Sequence, residues 1–254
     1  MTKFAKPLSL RPEFGAPDRP ETAMLLAAGL GKRMRPLTAT RPKPLVEVGG
    51  RSLLDHALDR LRAGGVRRVV VNVHYLADAL EAHLRRHADG LDIAISDERA
   101  QLLETGGGVV HALPQLGDKP FYVANADSLW VDGPADTLHL LANGWDDERM
   151  DALLLVVPLA RANCHSGTGD FHMDAVGRLS RRRQGKVAPF VYTGVQIVSR
   201  RLFDGAVEEP FSFNRLWDKA IAAGRCYGVV HQGLWFDVGT PPAIARTEAI
   251  LAHG

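Results

Sequence analysis

Cysteine is scarce in this chain. Only Cys164 and Cys226 occur among 254 residues, far apart and without metal-ligand or redox spacing, so neither a zinc site nor a disulfide framework is expected and a reducing compartment fits. No apolar run approaches the roughly 18 residues of a membrane-spanning helix, and the N-terminus lacks the apolar core of a secretory signal. The cytoplasm is the expected location, with no membrane partner. Charge of one sign is not in excess: 31 Lys+Arg stand against 29 Asp+Glu, a formal net charge of +2. That balance, without any recognisable nucleic-acid-binding module, argues against a nucleic-acid partner. Internal repeats and low-complexity tracts are missing too. What remains is a globular composition, 46% hydrophobic and 24% charged, long enough to bury a full core.

The opening "MTKFAKPLSLRPEFGAPDRPET" carries four prolines and no sustained periodicity. Residues 1–22 read as an extension, loosely packed or disordered, before a single domain over 23–254. Within that domain, residues 23–150 alternate short apolar runs with amphipathic helical patterns. "AMLLAA", "VRRVVVNV", "LDIAIS" and "PFYVANAD" predict strands. Helices are predicted from an N-cap at Ser52 to Gly64, over 76–87, and from about Gly106 to Leu113. This rhythm predicts an α/β fold, a Rossmann-like, doubly wound, mostly parallel sheet with its ligands at the carboxyl ends of the strands. Residues 151–254 form a mixed half. Strands are expected over 151–160, 189–199 and through "CYGVVHQGLWFDV", with a hairpin turning at Asp174–Gly177 inside 169–182. A helix near 213–223 and another from about Pro242 complete it.

The segment "MLLAAGLGKRMRPLTATRPKPL" turns on two glycines directly after a strand, where backbone N–H groups can approach phosphates without Cβ interference. Two familiar explanations fail on spacing. A P-loop requires G-x-x-x-x-G-K-[ST], and Lys32 follows only G-x-G and precedes Arg33. A dinucleotide fingerprint requires a third glycine where Met34 stands, and an acidic residue where Asn72-Val73-His74 stands.

The run L-A-A-G-x-G-x-R-M-x-P-L-T at Leu26–Thr38, followed by P-K-P-L at Pro42–Leu45, resembles the signature of the sugar 1-phosphate nucleotidyltransferases, the nucleotide-sugar pyrophosphorylases. "NAD" with Asp127 and "WFDVGT" with Asp237 fall in the family's order, so the resemblance spans about Ala23 to Leu251. It implies a glycosyltransferase-A-like nucleotidyltransferase fold and a Mg²⁺-dependent transfer from UTP, or another NTP, to a sugar 1-phosphate. Leu26, Ala27, Ala28, Gly29, Gly31, Lys32 and Arg33 are implied to cradle the triphosphate. Arg33 would hold the β- and γ-phosphates, and Lys43 the α-phosphate or the sugar phosphate. Asp127 and Asp237 would carry the metal. The residue chemistry agrees, because cations beside backbone donors suit a departing pyrophosphate and paired carboxylates suit Mg²⁺.

The same resemblance places the base against Glu98, Thr105, Gly106 and Gly107, although "ETGG" also reads as an ordinary helix entry. A carboxylate at Glu98 can accept from uracil or from guanine, so it leaves the base open. Asn125, Gly169, Asp170, Thr193 and Gly194 match positions lining the sugar pocket in relatives. "LSRRRQGKV" departs from the Glu-Lys-Pro stretch of many hexose enzymes. Arg181–Arg183 either face an acidic sugar or decorate an exposed hairpin end. The short chain, "LETGGG", "GDF", "FVYTGVQI" and "WFDVGT" look most like members that act on an N-acetylmuramic sugar in cell-wall recycling. A guanylyltransferase for mannose or heptose 1-phosphate, and a non-catalytic regulatory paralogue, are the alternatives. A monomer or small homo-oligomer is expected.

Overall fold

Apolar runs on the first half pack side by side because each is followed by a helix long enough to carry the chain back. The computed structural model describes residues 19–87 and 90–253. β1 (Thr22–Leu26) is followed by a two-residue hairpin, β2 (Glu47–Val48) and β3 (Arg51–Ser52), then α1 (Leu53–Ala63), β4 (Arg68–Val73), α2 (Ala77–His87), β5 (Asp92–Asp97), α3 (Glu104–Leu116) and β6 (Phe121–Asn125). β6, β1, β4 and β5 lie in that order, all parallel. Ser52 caps α1 as expected, its Oγ accepting from Asp55 N at 3.0 Å, and Leu54, Leu58 and Leu61 form the buried stripe.

The two faces of the sheet are covered separately. Along β1, Leu25 joins a core cluster with Leu54, Leu58 and Leu80 from α1 and α2. Met24 faces the other way, toward Val109, Ala112 and Trp217 of the opposite cluster. That alternation is the strand period, and it makes the sheet doubly wound.

After β6 come β7 (Ser128–Val131), α4 (Thr137–Gly144), β8 (Ala152–Pro158), β9 (Ala162–Asn163), β10 (Phe171–Met173), β11 (Leu179–Arg181), β12 (Phe190–Val198), α5 (Asn214–Ala222), β13 (Cys226–Val230), β14 (Leu234–Asp237) and α6 (Pro241–His253). β12 joins the sheet antiparallel to β6, with β8 on its other side and a register shift between Tyr192 and Gln196. β10 and β11 form the expected hairpin, closed by Asp174, whose Oδ1 accepts from Val176 N and Arg178 N at 3.0 and 2.8 Å.

Three expectations need correction. The run "CYGVVHQGLWFDV" is two strands in two sheets: β13 pairs with β8, and β14 pairs with β7 and β9. The break falls where a Cβ on Gly233 would come within 2.0 Å of the Val131 carbonyl, so the chain crosses there at backbone contact. α3 continues through Pro114 to Leu116, because Arg200 Nη1 donates to the Leu113 and Gly117 carbonyls at 2.8 Å each and Leu116 is buried. Residues 19–22 of the expected extension belong to the fold: Thr22 opens β1, and Glu21 O accepts from Arg67 N and Arg68 N at 2.8 and 3.1 Å. The rest of the expected extension, residues 1–18, lies outside the described residues. Among the described residues no helix is long and apolar enough to cross a membrane.

Candidate active site

The carboxyl ends of β1, β4 and β6 open into a cavity of about 370 Å³. Leu26, Ala27, Ala28 and Gly29 line it from the loop after β1, Lys43 and Pro44 from the basic loop, Asn125 and Asp127 from the end of β6, and Glu104 and Thr105 from the start of α3. A Cβ on Gly29 would meet nothing within 4 Å, so the backbone there faces open space that a ligand can fill.

Asn72 holds the loop. Its Oδ1 accepts from Ala27 N at 2.6 Å and from Ala28 N at 3.3 Å, and its Nδ2 donates to Glu98 Oε1 at 2.7 Å. Glu98 Oε2 accepts from Leu103 N at 3.0 Å. Glu98 is 2% exposed, so it sits behind the cavity wall and joins the β1 loop to the start of α3. This corrects the expectation that it reads the base directly. Gly106 and Gly107 are corrected in the same way: both amides donate to the Phe211 carbonyl, at 2.8 and 3.2 Å. A Cβ on them would lie 2.3 Å from the Phe211 ring and 2.0 Å from the Glu209 carbonyl. These glycines let segment 209–211 lie against the helix. Glu104, in contrast, lines the cavity at a φ of +58°, a conformation a non-glycine residue adopts at a cost and often at working sites.

Gly31 is needed at its φ of +60°, and a Cβ there would press Lys43 Cβ and Thr38 Cγ2, each at 3.0 Å. Thr38 Oγ1 donates to Gly31 O at 2.8 Å, and Tyr75 OH donates to Thr38 O at 2.9 Å. The basic loop is thereby pinned so that Lys43 Nζ reaches Asp127 Oδ2 at 2.5 Å, with the lysine side chain only 12% exposed. Lys32 and Arg33 are exposed and carry no ion pair among the described residues, whereas Arg41 is engaged by Glu47 at 3.2 Å.

Asp237 enters from β14, where it stands opposite Ser128 in register, one residue from Asp127. Its Oδ2 is paired with His165 Nδ1 at 3.0 Å. Beside it, Gly239 has no room for a side chain: a Cβ would lie 2.8 Å from Asp237 Oδ1 and 3.0 Å from Arg33 Nη1. The structure thus brings Asp127, Lys43, Asp237 and Arg33 to one rim, although only Asp127 and Lys43 line the cavity itself. Asp127 and Asp237 each keep an Oδ1 with no protein hydrogen bond among the described residues, an oxygen-only donor set that fits Mg²⁺.

The expected sugar residues divide. Asn125 lines the cavity. Gly194, at φ +90°, allows Ser128 Oγ and Asn125 Nδ2 to approach to where a Cβ would clash, at 2.1 and 3.0 Å. The Thr193 hydroxyl donates to Leu155 O at 2.9 Å and the residue is 1% exposed, so its side chain faces the core. Gly169 and Asp170 lie away from the cavity lining, Asp170 Oδ2 accepting from Tyr192 N at 2.9 Å. Arg181 binds Asp218 at 2.7 Å and stacks over Phe171 and Trp217, and Arg182 donates to Gly169 O at 2.9 Å. Two of the three arginines are therefore fastening the hairpin, and Arg183 is exposed. Asn72, Pro44, Leu102, Glu104 and Ser212 line the cavity without having been expected there, and His165 was missed beside Asp237. For Asn72 a signal existed: it is a polar residue at the end of an otherwise apolar strand.

Comparison with known proteins gives a consistent picture. The MobA-like NTP transferase domain matches residues 23–223. The chain is 49% identical, over 92% of its length and 98% of the relative, to N-acetylmuramate alpha-1-phosphate uridylyltransferase of Caulobacter vibrioides. It is 36% identical, over 90% of its length and 97% of the relative, to the protein of the same name from Neisseria meningitidis serogroup B. Among solved structures, UDP-glucose pyrophosphorylase complexed with UDP-glucose superposes with a TM-score of 0.76 at 14% identity, covering 92% of this chain and 100% of that one. That last likeness shows the fold.

Proposed function

The chain belongs to the MobA-like NTP transferase domain family, and from that membership we propose that it transfers a uridylyl group from UTP to N-acetylmuramate α-1-phosphate. The products are the UDP-sugar and pyrophosphate. The observation that carries the substrate assignment is the 49% identity, nearly end to end, with a relative of that name. The cytoplasm, where nucleotide pools lie, suits the reaction.

An oxygen of the sugar phosphate attacks the α-phosphorus of UTP in line. The new P–O bond forms as the α–β bridging bond breaks, and pyrophosphate leaves with the electron pair. The nucleophile is already an anion, so no covalent enzyme intermediate is required and the residues act by alignment and charge neutralisation. Lys43, fixed against Gly31 and Thr38, orients the incoming phosphate at the α-phosphate. Arg33, at the rim and without a carboxylate partner among the described residues, takes the charge that develops on pyrophosphate. Asn72 and Glu98 hold the β1 loop in the shape that receives the nucleotide. A Mg²⁺ ion held by Asp127 and Asp237 would neutralise charge on the bound phosphates.

The test is pyrophosphate release across a matrix of UTP, GTP, CTP, ATP and dTTP with N-acetylmuramate, N-acetylglucosamine, glucose and mannose 1-phosphates. Turnover confined to UTP with the muramic sugar, abolished by EDTA and restored by Mg²⁺, is the expected result. Asp127→Asn should lower it by about 10²-fold or more, the scale of losing a principal electrostatic contact. Turnover with GTP and mannose 1-phosphate would overturn the substrate assignment and keep the reaction. Silence across the matrix would favour a non-catalytic role.

A further inference from the structure

On the outside of the fold, α2 presents two histidines one turn apart, and α1 faces them with a carboxylate. His83 and His87 occupy i and i+4 positions, so both rings project from one face. The rings stack with centroids 4.1 Å apart and 12° between planes. Asp55, in the first turn of α1, points at them, and its Oδ1 lies 2.8 Å from His83 Nε2. One ligand atom from each of Asp55, His83 and His87 can be chosen so that all three lie within 4.8 Å of one another. The Asp55 and His83 side chains are 14% and 18% exposed, while His87 is open to solvent.

We infer that Asp55, His83 and His87 form a binding site for a zinc-class divalent ion, separate from the cavity where the reaction is proposed. Zinc bonds of about 2.0–2.2 Å to nitrogen and carboxylate oxygen place neighbouring tetrahedral ligands roughly 3.3–3.6 Å apart. The Asp55 and His83 atoms are already slightly inside that spacing, and the exposed His87 ring can close the remainder by rotation about its own side-chain bonds. Two imidazoles and one carboxylate select zinc, cobalt or nickel over Mg²⁺, which prefers oxygen. The surrounding charge allows it. The same pocket is lined by Arg41 and Arg51, but Glu47 holds Arg41 at 3.2 Å and Asp59 holds Arg51 at 2.6 Å. The two helices are fixed independently of any ion, through the buried Leu54, Leu58, Leu80 and Leu84, so the backbones that carry the ligands are held together before binding and only the His87 ring has to turn out of its stack. The pocket opens to solvent on the His87 side, which leaves the fourth position to water, as in sites with three protein ligands.

The experiment is calorimetric titration of the full-length, tag-free, demetallated protein with Zn²⁺, alongside His87→Ala, His83→Gln and Asp127→Asn. Wild type and Asp127→Asn should each bind one equivalent, and excess Mg²⁺ should not displace it. His87→Ala, an exposed change that leaves folding intact, should weaken binding about a hundredfold or more, since losing even an outer partner of a ligand costs 10- to 100-fold. His83→Gln should do the same. Absence of stoichiometric Zn²⁺ binding by wild type, or unchanged binding in both histidine variants, would overturn the site. So would binding lost in Asp127→Asn alone, which would place the ion among the phosphate-facing carboxylates.

Discussion

Two hydrogen bonds decide what the Glu98 carboxylate can do. One oxygen takes Asn72 Nδ2 and the other takes Leu103 N, and both donors belong to segments that wall the cavity. Glu98→Gln keeps the size and one acceptor but turns the other oxygen into a donor that faces a donor. The expected cost is about 1–3 kcal/mol, the price of an unsatisfied buried group, with a severalfold rise in KM for the nucleotide as the loop loosens. The ranking of UTP against GTP should stay the same. A reversal of that ranking with unchanged stability would sink the positioning role and restore base reading. At this scale the sequence brought Lys43 and Asp127 into view through their motifs, and the structure places them 2.5 Å apart, a pairing the sequence did not announce. It misled where a residue type has several uses. A glutamate after a strand can read a base or hold a loop, and only the position of Asn72, across two strands, decides between them.

At the level of elements, the triple glycine at the start of α3 is a packing device. Helix propensity alone would favour Gly107→Ala by about 1 kcal/mol. The structure predicts the opposite sign, because the new methyl would lie 2.0 Å from the Glu209 carbonyl, and backbone cannot swing aside as a side chain can. A net loss of about 2 kcal/mol is expected, within the range for overpacked sites, read as a lower urea midpoint at unchanged slope. A midpoint at or above wild type would show that segment 209–211 moves freely. The elements that the apolar pattern revealed are α1 and α2, whose stripe faces one core, and the parallel strands, which are apolar toward both cores. β7 and α4 were not legible, since β7 is four residues long and makes sense only once β14 stands beside it. The β13–β14 break was hidden for a related reason. Both strands are apolar, and the crossing that separates them depends on Val131, a hundred residues earlier in the chain.

For the whole molecule, that crossing ties the large sheet to the small one that carries Asp237, and His231 sits at the tie. It is 1% exposed. Its N–H donates to Val156 O at 2.8 Å on β8, and its ring Nε2 lies 3.1 Å from the Leu234 carbonyl at the start of β14. Burial disfavours the imidazolium and holds the ring below the ordinary histidine range, despite the nearby carbonyls and Asp132 that pull the other way. The unfolded chain therefore takes up this proton before the folded one does. Stability from this group is complete above about pH 6.5, the value in an unfolded chain, and is lost as pH falls from there toward the lower folded value. The slope can reach at most about 1.4 kcal/mol per pH unit, the limit for one proton. Urea unfolding of wild type and His231→Gln between pH 8 and pH 5 should therefore diverge. Gln keeps a donor for Leu234 and cannot ionise, so it should cost stability at pH 8 and then show a flatter decline below pH 6.5. Parallel profiles would mean that the junction does not sense this proton. Loss concentrated at the tie would also loosen β14, and with it the register that sets Asp237 beside Asp127, so turnover should fall with stability over the same interval in wild type.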